Sequence, residues 1–132
     1  MSDYGKFNAS IPVEADPNGK SPHEPGAKLD AGKPKIRKGL LEQFPRACIA
    51  VAQVSEFGAG KYTWGGWKTV PAGDERYGDA EVRHICKAAI EGLYDKDSGL
   101  LHRAHEAWNA LAALELDLQA IETTKLTGQA AP

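Results

Sequence analysis

Four polar residues, His102, His105, Glu106 and Asn109, follow one another at i, i+3, i+4 and i+7, so an α-helix aligns them on one narrow stripe. The stripe continues into Ala113 and Leu116, so this polar face opens at one end and runs inward, where its groups need partners. A divalent cation, a bound substrate, hydrogen bonds to facing helices or plain solvation of the face would each satisfy them. The run from His102 to Glu106 matches neither HExxH nor HxxEH, which excludes a zinc-protease reading. Gln53 and Glu56 lie one turn apart in an otherwise apolar segment, with Glu42 upstream. A carboxylate there is either exposed near a helix end or held by a partner or metal. Glu81, Arg83, His84, Lys87 and Glu91 form the polar side of another helical stretch, a solvated face by default. Lys61 to Trp67 combines a cation with Tyr62, Trp64 and Trp67, materials suited to stacking a base and meeting a phosphate, or to covering the end of a bundle. There is no GxxxxGK[ST] loop and no GxGxxG turn, so nucleotide chemistry of the P-loop or Rossmann kind is excluded.

The elements that must position these residues are helical. The first pattern runs from about Gly39 to Gly60, with Pro45 at a helix start or kink and Ala47, Ile49, Ala50, Val51 and Val54 making it apolar on most sides, as expected of a helix at the centre of a bundle. The second runs from about Asp79 to Leu93, where Val82, Ile85, Cys86, Ala89, Ile90 and Leu93 repeat at three and four residues, the stripe of an amphipathic helix facing a core. Asp95 to Gly99 forms a polar turn in which Asp97 or Ser98 is placed to cap a third helix, from about Leu100 to Thr123. No strand-period segment and no repeat appears, so the fold class is all-α. Residues 1–35 carry five prolines with only Phe7, Ile11 and Val13 as apolar anchors. They read as an arm, disordered or laid across the body or a neighbouring subunit. Residues 36–126 form the helical domain and 127–132 a frayed tail.

The 132 residues leave room for one such core. Net charge is -2, so no global basic field holds a nucleic-acid polymer and phosphate-bearing partners must be met by a local site. Cys48 and Cys86 sit among apolar residues and read as buried reduced thiols. The N-terminus lacks a basic segment followed by an apolar one, and no apolar run approaches the roughly 20 residues of a membrane span. A cytoplasmic location is expected.

Three segments together resemble one family: Lys28-Leu29-Asp30-Ala31-Gly32-Lys33-Pro34; then Phe57-Gly58-Ala59-Gly60-Lys61-Tyr62 leading to Trp67; then Arg83-His84 followed by Asp95, Asp97-Ser98-Gly99-Leu100, His102, His105 and Asn109. In order and spacing these are similar to the phage dATP/dGTP diphosphohydrolases related to MazG. The resemblance implies a MazG-like all-α bundle that assembles as a homodimer or tetramer. It also implies Mg²⁺ or Mn²⁺ held by acidic side chains of facing helices, and hydrolysis of a purine (deoxy)nucleoside triphosphate, dGTP/GTP or dATP, to the monophosphate and pyrophosphate, supplying dGMP for 2-aminoadenine synthesis. Relatives carry an ExxE pair and an ExxD pair. Glu106-Ala107-Trp108-Asn109 lies where the second falls, with asparagine in place of aspartate, and Gln53-Val54-Ser55-Glu56 is the candidate for the first. On this basis Glu56, Glu106, Asn109 and His102 are the expected metal residues, and Glu56, Glu106 and His105 the expected catalytic ones. Lys33, Lys61, Arg83, His84, Asp95 and Trp67 are expected at the substrate, the cations on phosphate and the indole on the base. The competing expectation is a noncatalytic helical oligomer that binds nucleotides or another protein.

Overall fold

The computed structural model describes residues 14–128; Phe7, Ile11 and Val13, and the tail past Gly128, lie outside the described residues. By internal contacts the chain falls into two units, Met1–Gln43 and Phe44–Pro132. In the first, residues 14–35 contain turns and no helix. The Asp16 carboxylate organises them, accepting hydrogen bonds from the backbone N–H of Lys28 at 2.8 Å and of Asn18 at 2.7 Å. The Lys28 bond, joined by those of Asn18 and Lys20, holds the Asp16 carboxyl below the ordinary range. The Lys20 ammonium donates to Pro25 O at 3.0 Å and that of Lys35 to Asp30 O at 2.8 Å. One π-helical turn, Arg37–Leu41, closes this unit, with Glu42 N–H donating to Arg37 O at 2.8 Å.

The second unit holds three α-helices: α1, Pro45–Lys61; α2, Gly73–Glu91; and α3, His102–Thr127; a 3₁₀ turn, Gly66–Thr69, lies between α1 and α2. Helix α2 packs along α3, and α1 rests on α3 over a smaller area. Among the described residues there is no strand, only an antiparallel bridge between Tyr94 and Leu101. Among the described residues no helix is long and apolar enough to cross a membrane.

The helix expected from Gly39 is broken. Phe44 adopts φ -130 and ψ 52, away from the helical region as a residue before proline must be, and Pro45, lacking an N–H, starts α1. Helix α1 then runs through Gly58 and Gly60 to Lys61, so neither glycine ends it. Helix α2 starts at Gly73, well before Asp79, with Asp74 and Glu75 in its first turn, where carboxylates favour the positive end of the helix dipole. Gly73 is buried, and a Cβ there would lie 2.9 Å from Leu116 Cδ1; the absent side chain lets the start of α2 meet α3. Gly92 ends α2, and Gly128 ends α3 past the expected Thr123. Helix α3 has Leu101 as N-cap and no side-chain cap; the Ser98 hydroxyl is engaged within the turn, accepting from Leu100 N–H at 3.1 Å. Gly99 takes φ 73 in that turn, a backbone region that glycine enters without cost.

Which face of each helix turns inward differs from the expectation. On α2 the apolar stripe Val82, Ile85, Cys86, Ala89 and Ile90 is exposed within one chain, Ile90 at 84%. The polar side, with Tyr77, His84 and Glu91 half-buried, is the one turned toward α3. Helix α1, expected at the centre of a bundle, buries only Val54 fully, and Ile49 is 64% exposed, because one chain supplies neighbours to one side of it. The cysteines expected to be buried are not: Cys86 is exposed and Cys48 half-buried, both free thiols.

Candidate functional site

A cleft of about 970 Å³ opens in the second unit between the end of α1, the 3₁₀ turn and the facing sides of α2 and α3. That lies at the upper end of the roughly 300–1,000 Å³ usual for small-molecule sites. Its floor is ionisable. The turn after α2 carries Asp95, which is 3% exposed, and ties it down on both oxygens: Ser98 N–H donates to Oδ2 at 3.0 Å and the Lys87 ammonium lies 3.3 Å from Oδ1. Burial pushes the Asp95 carboxyl up, but the Ser98 hydrogen bonds and Lys87 outweigh it and bring it down to about 2. Asp95 is therefore a fixed negative charge beside the cleft.

Three imidazoles surround it. His84 from α2 and His105 from α3 stack face to face, ring centroids 4.4 Å apart and planes 4° apart. Burial, then the neighbouring His105, lowers His84 to about 4, against the opposing pull of Asp95. Burial likewise lowers His105. Near neutrality both rings are uncharged, which removes the repulsion a stacked pair of cations would suffer. His102, the first residue of α3 and 1% exposed, puts Nδ1 2.9 Å from His84 Nδ1. Its Nε2 lies 2.9 Å from Glu91 Oε1, close but not aligned as a hydrogen bond, so both buried atoms lack a matched partner. A carboxylate facing Nε2 selects the tautomer with the proton there. In that tautomer His84 Nδ1–H donates to the His102 Nδ1 lone pair. Ser98 Oγ lies 2.7 Å from His105 Nε2, and Asp95 Oδ2 lies 3.7 Å from that same nitrogen. A nucleophilic triad needs serine and carboxylate on opposite ring nitrogens, so these residues do not form one.

The walls are aromatic and cationic. Trp67, Tyr77 and Trp108 meet edge to face at 5.6 to 6.0 Å between centroids. Tyr77 OH donates to Trp67 O at 2.7 Å, and Trp108 Nε1–H donates to Ser55 Oγ at 2.7 Å, tying α3 to α1. Lys61, at the end of α1, lies 3.4 Å from Asp97 Oδ2 and 5.4 Å from the Phe57 ring centre. Arg83 also lines the cleft and is exposed.

Of the residues singled out from sequence, the cleft brings together Lys61, Trp67, Arg83, His84, Asp95, His105 and Asn109, with His102 directly behind His84. Asn109 is buried and its Nδ2 donates to His105 O at 2.8 Å, one turn back on its own helix. Glu56 is exposed on α1 and Glu106 lies 4.0 Å from Arg103; neither lines the cleft. Lys33 belongs to the N-terminal unit, 3.4 Å from Glu14. Sequence reasoning left Lys87 and Glu91 on a solvated face, yet both reach this cluster. Their spacing from His84, i+3 and i+7, was a signal that they share its side of α2. Tyr77, Trp108 and Ser55 were also missed, because their partners are brought in from other elements.

Two imidazoles and a carboxylate with ligand atoms of His84, Asp95 and His102 all within 4.8 Å of one another are a donor set that can hold a metal ion. Beside it, indole faces and the cations of Lys61 and Arg83 suit a base and phosphates. No curated protein and no solved structure matches the chain. A family model does, that of the dATP/dGTP diphosphohydrolase N-terminal domain, over residues 23–125, and it supports a nucleotide diphosphohydrolase activity. Covering most of the chain and every cleft residue named above, that match shows that this protein belongs to the dATP/dGTP diphosphohydrolase N-terminal domain family.

Proposed function

We propose that this protein is a divalent-metal-dependent diphosphohydrolase that cleaves a purine (deoxy)nucleoside triphosphate, dGTP/GTP or dATP, between the α and β phosphates, releasing pyrophosphate and the monophosphate. The observation that carries this is the convergence, in a chain of this family, of a metal-competent histidine and aspartate group with aromatic and cationic walls on one cleft of nucleotide size. A bound Mg²⁺ or Mn²⁺ supplies charge neutralisation for the triphosphate and a water of lowered pKa. The chain's own residues do the rest. Lys61 and Arg83 meet phosphate oxygens, where fixed cations stabilise the charge that spreads during cleavage. Trp67 stacks the base. His105, neutral near pH 7, is placed to accept a proton from water. Asn109 fixes the backbone carrying His105, and Asp95 and His102 hold metal or orient water with His84.

The apolar stripe of α2, exposed in one chain, supports assembly as a homo-oligomer, since soluble proteins rarely leave such contiguous stripes uncovered. Glu56 and Glu106, outside the cleft of a single chain, act as metal or catalytic carboxylates in this reading through a site shared between copies. The finer form of the reading is an enzyme of the MazZ type, acting in the cytoplasm of a phage-infected cell and feeding dGMP to 2-aminoadenine nucleotide synthesis. Its support is the three-segment resemblance. The acidic net charge argues for free nucleotides, not a nucleic-acid polymer, as partners.

Incubation of the protein with each dNTP and Mn²⁺, followed by chromatographic separation of products, tests the proposal. A monophosphate with pyrophosphate supports it, and a nucleoside diphosphate with orthophosphate overturns it. A second reading, a noncatalytic nucleotide-binding oligomer, draws on the two carboxylates that miss the cleft. Tight nucleotide binding without turnover under any metal would select it.

A further inference from the structure

We infer that His84 Nδ1, His102 Nδ1 and the Asp95 carboxylate form a specific site for a nitrogen-preferring later first-row transition ion, of the Zn²⁺ or Co²⁺ class, in preference to Mg²⁺. This refines the metal requirement proposed above, but it stands or falls on binding in the absence of nucleotide. Four observations carry it.

The first is the donor set: two imidazole nitrogens and one carboxylate oxygen within 4.8 Å of one another. Mg²⁺ seeks oxygen ligands in near-ideal octahedra, whereas imidazole suits the later first-row ions. The second is direction. The two Nδ1 atoms face each other at 2.9 Å, and ligands at tetrahedral angles around an ion at usual Zn–N distances stand about 3.3 Å apart. Binding therefore moves the His84 proton from Nδ1 to Nε2, which frees the Nδ1 lone pair, opens the imidazole pair by a few tenths of an ångström and closes the carboxylate by up to about 1.5 Å. The third lies behind the ligands. His102 is 1% exposed and its remote nitrogen is 2.9 Å from the Glu91 carboxylate, the outer partner that metal-bound histidines ordinarily keep and that aims the lone pair of the nearer nitrogen. Neither buried atom has an aligned hydrogen-bond partner now, so loading has this contact to gain. The fourth is access: His84 and Asp95 both line the cleft, which leaves the ion's remaining positions open to water or phosphate.

A cation already serves the site. The Lys87 ammonium, 3.3 Å from Asp95 and 4.0 Å from Glu91, balances Asp95 when no ion is bound and competes with an incoming one. Loading moves Lys87 off Asp95 oxygen.

The test uses the full untagged chain with Cys86→Ser, so that the exposed thiol offers no rival ligand, stripped with chelator and titrated with Co²⁺ and then Mg²⁺ by calorimetry and visible absorption. The expected result is one Co²⁺ per chain with intense d–d bands, displaced by Zn²⁺ and not by Mg²⁺. His84→Gln or Asp95→Asn abolishes the bands while the thermal melt without metal stays cooperative, and Glu91→Gln weakens binding by roughly 10- to 100-fold. Lys87→Met tightens it several-fold, an effect that a merely structural lysine does not produce. Because His102 is buried, its substitution can unfold the chain, and the test does not depend on it. No saturable Co²⁺ binding, or binding unchanged in His84→Gln and Asp95→Asn, overturns the inference. Turnover of dNTP with Mg²⁺ by a chain that binds no Co²⁺ would leave the proposed function standing while the inference falls.

Discussion

The tie between Trp108 and Ser55 sets how firmly the wall carrying Lys61 is held, and its removal has a calculable cost. Trp108 Nε1 donates to Ser55 Oγ at 2.7 Å in partly buried surroundings, and its ring meets Trp67 at 5.7 Å and Tyr77 at 5.6 Å. Ser55→Ala leaves the indole N–H without its acceptor, a loss of about 1–2 kcal/mol once some water returns. Trp108→Phe keeps one ring for the aromatic cluster but loses the donor and part of two edge contacts worth roughly 0.5–1.5 kcal/mol each, so about 2 kcal/mol goes. In the double variant neither partner is stranded, so the losses fall short of their sum by about 1 kcal/mol. Urea unfolding followed by far-UV circular dichroism measures all four corners. Additivity within about 0.3 kcal/mol would refute the tie as an energetic link between α1 and α3. Because α1 carries Lys61 and Phe57 into the cleft, the singles also raise KM for nucleotide more than they lower kcat.

Three further outcomes follow from the geometry. Gly73→Ala puts a methyl carbon 2.9 Å from Leu116 Cδ1 and lowers stability by about 1–3 kcal/mol in chemical unfolding; an unchanged midpoint would contradict the packing of α2 on α3. Ile90→Arg places a charge on the uncovered stripe of α2; if a second copy covers that stripe, sedimentation equilibrium reads a smaller assembly, whereas an unchanged mass together with a stability change under about 0.5 kcal/mol marks Ile90 as ordinary surface. Lys61→Met removes a cation that faces the cleft and frees Asp97; nucleotide affinity falls by roughly tenfold or more, as expected for one charge-assisted phosphate contact, and an unaltered KM would take Lys61 out of the phosphate site.

The helices themselves were legible from the chain, because apolar residues at three- and four-residue spacing report a helix whatever surrounds it. The stripe through His102, His105 and Asn109 was legible for the same reason, and α3 carries all three at buried positions. What local spacing could not report was which side of α2 meets α3. The periodicity of Val82, Ile85 and Ile90 announces two faces, and hydrophobicity assigns the apolar one to a core; within one chain the opposite face, with Tyr77, His84 and Glu91, turns inward. The pairing of His84 with His102 crosses a helix end, a turn and a helix start, a distance over which no local rule operates. Glu56 and Glu106 follow from the paired-carboxylate pattern that the family resemblance implies, and a pattern along the chain does not report the direction in which a helix presents its carboxylate. The early start of α2 was hidden because the residue before it, Ala72, takes a left-handed conformation at φ 53, against the preference of a residue with a side chain.

Hydrolysis of a triphosphate to monophosphate and pyrophosphate is the claim on which the rest depends, and phosphorus NMR of dGTP incubated with the protein and Mn²⁺, recorded after the paramagnetic ion is removed on chelating resin, reads it without coupled enzymes. The account predicts loss of the three nucleotide resonances with growth of one monophosphate and one pyrophosphate signal, absent when chelator is in excess. Orthophosphate with dGDP, or dGTP and dATP both left intact under every divalent ion supplied, would contradict it.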